Sequence, residues 1–134
     1  MLSIMLLSLS GQFTGNGVAI TPRRSRTCSE IFVDIDVTNS KFTMYHGGYI
    51  CQDMQATYDR YQMDIVNGEL FSNGSKVGLI SENELNINYE NVDEGYIYDL
   101  KLTKLNESTL RYTESWFSEG KNALEVKGDL KLLD

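Results

Sequence analysis

A chain of 134 residues with 41% hydrophobic and 23% charged residues has the length for one core and too much apolar content for disorder. Its net charge of −7 and pI near 4.7 exclude the basic surface that nucleic acid requires. Eight tyrosines, eleven glycines and one proline point to an all-β chain of short strands and tight turns.

The chain opens with "MLSIMLLSLSG", whose Leu2, Ile4, Leu6, Leu7 and Leu9 form an apolar run too short to span a bilayer. Ser8 and Ser10 give the small-x-small pattern that suits signal-peptidase cleavage before Gly11, although no lysine or arginine precedes the run. Residues 1–10 therefore read as an export-signal remnant, with an amphipathic lead-in packed on the domain as the alternative. Residues 11–134 form the single β domain.

In "GQFTGNGVAI", Phe13, Gly15, Gly17 and Ala19 alternate, and small residues there permit sharp bending or a close approach by a neighbouring strand. "TPRRSR", residues 21–26, reads as a solvated loop after Pro22 whose arginines could dock an acidic partner.

Both cysteines lie in "CSEIFVDIDVTNSKFTMYHGGYIC". Ile31, Val33, Ile35 and Val37 share one face, and a two-residue turn at Asn39-Ser40 sets Ile35 opposite Met44 and Val37 opposite Phe42. The same register sets Cys28 opposite Cys51, within disulfide reach, on the face away from Ile31 and Val33. A structural disulfide implies an oxidising compartment, periplasmic or secreted. Two lone thiols lack the four-ligand spacing of a metal site, and no metal or cofactor is expected. His46, the only histidine, falls on the inward parity beside Gly47-Gly48, where a bulge would shift the register by one. It is a candidate ligand contact; the plainer expectation is a histidine bonded to backbone at a strand bulge.

"QDMQATYDR", residues 52–60, reads as a loop and a second possible contact for a protein partner. Beyond it, "YQMDIV", "ELF" and "KVGLI" are separated by Asn67-Gly68 and Asn73-Gly74, the strongest short hairpin signals. Their registers place Ile65 opposite Leu70 and Leu70 opposite Val77. "ELNINYE", "YIYDLKLT", "LRYTESWF" and "ALEVKGDLKLL" complete the series.

Tyr89, Tyr96, Tyr98, Tyr112 and Trp116 share the inward parity with Met44 and Met63. Glu114 stands in the same alternation between Tyr112 and Trp116. At the core it would be a desolvated carboxyl with a raised pKa; at a barrel mouth it would sit in water. Tyr98, Tyr112, Glu114, Trp116 and His46 are thus the candidate ligand contacts of a lumen, unless side chains fill the interior. One histidine and no paired-carboxylate or triad spacing make catalysis unexpected.

About ten strands joined by tight turns make an antiparallel up-and-down meander, and closure into a barrel removes its edges and covers its apolar face. A sandwich, the runner-up, would need a long crossover, which only residues 52–60 could supply. Gly11-Gln12-Phe13 resembles the glycine-x-tryptophan opening of the calycins, the lipocalin and fatty-acid-binding barrels, with Phe13 in place of tryptophan. The resemblance implies a calycin-like barrel whose opening aromatic packs against a basic residue of a late strand, Arg111 or Lys127 here. Only "TPRRSR" lies between Ile20 and Thr27, which disfavours the fatty-acid-binding branch with its two helices. The expected function is an extracytoplasmic, non-catalytic barrel for a small amphipathic or hydrophobic ligand. The alternatives are a protein-interaction or inhibitor module with a packed interior, or a structural envelope protein.

Overall fold

The computed structural model describes residues 9–133, and every regular element in them is a strand. In chain order these are β1 (Gly11–Thr21), β2 (Arg24–Val37), β3 (Lys41–Cys51), β4 (Met54–Tyr58), β5 (Tyr61–Val66) and β6 (Glu69–Ser72). β7 (Ser75–Ile80), β8 (Glu84–Asn91), β9 (Tyr96–Asn106), β10 (Thr109–Ser118) and β11 (Lys121–Leu132) follow. β1 pairs with both β2 and β11, and β2 pairs with β3, so the antiparallel sheet closes on itself. Ten strands make the ring, and β4 is an eleventh, hydrogen-bonded to β3 alone. The fold is a barrel and not a sandwich.

Two segments expected to be loops are mostly strand. In residues 52–60 only Gln52-Asp53 forms the turn, with Asp53 at φ 63°, before β4 begins at Met54. β4 and β5 hold one common register against β3, from Cys51 opposite Met54 to Lys41 opposite Asp64, interrupted at Asp59-Arg60. The long return strand was hidden by polar residues, because only Met54, Ala56 and Tyr58 face inward. In residues 21–26 the turn is Pro22-Arg23, and Arg24 and Arg26 already belong to β2. Arg24 pairs with Asp53 across the barrel end at 3.1 Å. Both segments, expected as loops, are thus strands joined by two-residue turns.

The Asn-Gly turns form as expected, with φ of 51° and 78° at Asn67-Gly68 and 52° and 83° at Asn73-Gly74. Ile65 lies opposite Leu70. The next register holds only beside the turn. A bulge between Leu70 and Phe71 shifts it, so Leu70 meets Gly78 and not Val77. The extra residue lets Val77 and Ile80 both face the core although an odd number of positions separates them.

The β2–β3 hairpin carries two bulges. Ile35 faces Met44 as the Asn39-Ser40 turn dictates, then Tyr45 is the extra residue and Asp34 meets His46. Ser29 is extra on β2, which restores the original register, and Cys28 again meets Cys51. The two join in a disulfide. Each bulge reverses the facing of what lies beyond it. The disulfide is consequently inside the barrel, with Cys28 fully buried, and not on the outer face. His46 is turned outward, exposed, with its ring 4.9 Å from Phe32.

One end of the barrel is packed shut by Leu9, Phe13, Val37, Phe42, Leu110 and Leu130, all buried. Residues 1–8 of the expected export signal lie outside the described residues. Its last two positions are part of this end: Leu9 is fully buried, and Ser10 Oγ accepts the Val37 amide at 2.8 Å. Lys104 of β9 stands 5.2 Å over the Phe13 ring. The cation expected from Arg111 or Lys127 thus comes from a different late strand. Arg111 instead pairs with Asp129 at 2.9 Å and Lys127 with Glu125 at 3.7 Å.

Gly15 and Gly17 of β1 bring that strand against β11 too closely for any side chain. A Cβ on Gly17 would stand 2.1 Å from the Lys127 carbonyl oxygen. Gly17→Ala must push β1 and β11 apart and is expected to cost about 1–3 kcal/mol, read as a lower urea midpoint with unchanged slope.

Candidate functional site

The open end differs because the wall is low on one side. β6 and β7 are only four and six residues long. The β7–β8 ladder covers only Gly78–Ile80 against Leu85–Ile87. Ser75 and Val77 on β7 and Tyr89 on β8 then flank a gap instead of bonding across it. Behind the gap lies a cavity of about 530 Å³. Tyr58, Tyr61, Met63, Val77, Ile87, Tyr89, Tyr96, Tyr98 and Trp116 give it an aromatic and apolar wall, with Gln62, Ser72, Asn73 and Ser75 as its polar groups.

Alternation along β9 and β10 places the aromatic side of the site. Tyr98 lies directly opposite Trp116 and Tyr96 opposite Ser118. The Trp116 ring is 4.8 Å from Tyr98, edge to face, and 5.1 Å from Tyr96. Such offsets suit the positive edge and negative face of aromatic rings.

Glu114 is two residues earlier on the same face and fully buried. Its carboxylate accepts from three neutral donors: the Tyr112 hydroxyl on Oε1, the Tyr58 hydroxyl on Oε2 at 2.5 Å, and the Trp116 indole N–H on Oε2 at 2.7 Å. Burial raises the Glu114 pKa above the ordinary carboxylate range, and the three hydrogen bonds oppose that rise without cancelling it. Burial and then the Glu114 charge push Tyr58, Tyr61, Tyr98 and Tyr112 far up, so all four stay protonated. Tyr49 is raised for the same two reasons, and its ring meets Tyr58 at 6.4 Å. The carboxyl sits one side chain behind the cavity wall and fixes two members of that wall, Tyr58 and Trp116.

Of the five candidate contacts read from the sequence, Tyr98 and Trp116 line the cavity. Glu114 and Tyr112 form its buried support. His46 is on the opposite surface of its strand and joins none of them. The sequence reading missed Tyr58, Tyr61 and Tyr49. The alternation of Met54, Ala56 and Tyr58 was the available signal, obscured by treating residues 52–60 as a loop. Tyr49 faces inward because of the bulge at Tyr45, which simple alternation does not reveal.

No protein-family model matches the chain, and no curated protein matches it. Among solved structures it is similar to a redesigned beta barrel, b11L5F_LGL, with TM-score 0.51 and 6% identity over 98% of this chain and 99% of that one. It is also similar to a redesigned beta barrel, mFAP1, bound to DFHBI, with TM-score 0.52 and 9% identity over the same shares of the two chains. At these identities the likeness is one of fold, a closed antiparallel barrel.

Proposed function

We propose that this chain is a non-catalytic, extracytoplasmic barrel that holds a small amphipathic or hydrophobic molecule in its open end. The observation that carries the reading is the 530 Å³ cavity whose aromatic wall is fixed from behind by a buried carboxyl. A pocket of this size, mostly apolar and with a few fixed polar groups, is what a small-molecule site requires. A barrel of similar fold, mFAP1, is bound to DFHBI, which supports the use of such an interior for a ligand. The carboxyl is enclosed by three donors and fully buried, which favours an organising role over acid–base chemistry on a bound substrate. The disulfide supports the extracytoplasmic part of the reading.

Trp116 is the chain's only tryptophan and lines the cavity, so its fluorescence reports occupancy directly. Protein purified from its own source and examined by native mass spectrometry is expected to carry a small molecule. Stripping that molecule should shift Trp116 emission, and re-adding it should restore the signal with a stoichiometry of one. A bare mass, together with unchanged Trp116 emission across a panel of lipids and metabolites, would remove the proposal.

A further inference from the structure

We infer that the molecule held in this cavity is a small organic ammonium compound, an amine on an aromatic or alkyl body, selected by Glu114 through Tyr58 and Trp116. The inference rests on the ligand-binding reading above and names the class of ligand.

Hydrogen-bond direction comes first. A carboxylate only accepts, so the Tyr58 hydroxyl spends its proton on Glu114 Oε2. What Tyr58 presents to the cavity is therefore lone-pair density, shared with Tyr49, whose side chain is also hydrogen-bonded to it. Trp116 likewise spends its single N–H on the same oxygen and offers ring surface. The fixed part of the wall thus consists of acceptors and π faces, which suit a ligand that donates protons or carries positive charge. Tyr96 and Tyr98 beside Trp116 extend that surface, and a desolvated ammonium gains most from aromatic faces.

Charge balance points the same way. Among the described residues no Asp, Glu, His, Lys or Arg lines the cavity. Among the described residues Glu114 has no ion pair, and its three donors are neutral. The groups that face it are Tyr49 from β3, Tyr58 from β4, Tyr61 from β5, Tyr98 from β9, and Tyr112 and Trp116 from β10. Its ladder neighbours on β9 and β11 are Leu100 and Val126. Arg26 of β2 stands on the same ladder row, opposite Ala19, which in turn faces Val126. Its Nη1 donates to Thr21, its buried Nε has no partner among the described residues, and it neither pairs with Glu114 nor lines the cavity. A bound cation would supply the missing countercharge where the low dielectric makes it count, whereas a carboxylate ligand would meet like charge. The net charge of −7 draws cations toward the barrel from a distance.

Binding must then be linked to protons. A cation favours the ionised form of Glu114, whose pKa burial raises, so ammonium binding strengthens as pH rises through the Glu114 titration and releases protons in that window.

The test uses three probes of matched body: 2-phenylethylamine, 2-phenylethanol and 3-phenylpropanoate, titrated against the intact chain at pH 7 with Trp116 fluorescence and calorimetry. The amine is expected to bind about tenfold tighter than the alcohol, and the carboxylate weakest. Glu114→Gln should remove the amine's advantage over the alcohol and its proton release. Should the alcohol bind and the amine show no advantage, or the carboxylate bind best, the ammonium assignment falls and the ligand-binding reading stands. If none of the three binds and the native protein also carries nothing, both fall. Should Glu114→Gln not fold, the ranking of the three probes on the unaltered protein still decides.

Discussion

Glu114→Ala is expected to lower the unfolding free energy by about 2–5 kcal/mol, whereas Glu114→Gln changes it by only about 1 kcal/mol at neutral pH. Alanine leaves the Tyr112 hydroxyl and the Trp116 N–H without an acceptor, and Tyr112 is buried beyond the reach of bulk water. Glutamine satisfies the cluster differently. Its carbonyl oxygen keeps Trp116 and Tyr58, and its amide N–H donates to a Tyr112 hydroxyl that turns to accept. Urea denaturation of the three proteins at one pH separates these outcomes. Equal stability of Glu114→Ala and the unaltered chain would show that the donors find other partners and that the carboxyl organises nothing.

The same residue sets an unusual pH dependence. Its carboxyl pKa is raised in the folded state, so the folded chain holds this proton more tightly than the unfolded chain does. The sign follows from linkage. The stabilisation is full below the unfolded value of about 4.3 and is lost as pH rises from there through the folded value. Other carboxylates, such as Asp129 held low by Arg111, act in the opposite direction. The difference between the unaltered chain and Glu114→Gln isolates the effect. Measured from pH 4 upward, that difference should move in favour of the glutamine variant.

Replacing both cysteines by alanine is expected to cost about 2–4 kcal/mol, the usual effect of opening a loop of this size. The consequence here extends beyond loop entropy, because the bond clamps a hairpin whose register slips at Tyr45 and recovers at Ser29. It also fills interior volume, since Cys28 is fully buried. The urea midpoint of the double variant reads the loss. Alkylation adds a structural check: without reductant neither cysteine should react, and with reductant alone Cys28 should react only once the barrel opens. Labelling of both in unreduced, folded protein would contradict the pairing.

The local pattern of the sequence carried the fold. Period-two alternation, Asn-Gly turns and the absence of a helical period were enough for a closed antiparallel meander, because side-chain facing and turn conformation are properties of neighbouring residues. Glu114 was legible for the same reason, since Tyr112, Glu114 and Trp116 alternate on an unbulged stretch of β10. Parity fails at a bulge. One extra residue at Tyr45 turned His46 outward and Tyr49 inward, and one at Ser29 turned Cys28 into the core. Because these bulges offset each other in register, the Cys28–Cys51 partnership survived while its location reversed.

By itself, then, the sequence determined the architecture, the disulfide partners and the placement of one acid among aromatics on an inward face. Only the tertiary structure decided that the acid is enclosed by Tyr58, Tyr112 and Trp116, that Lys104 covers Phe13, and that the barrel is open at one end. Those facts depend on which distant strands meet and where the β7–β8 ladder stops. Alternation in a single strand records which way a side chain points, but a cavity exists only through the separation of walls far apart in the chain.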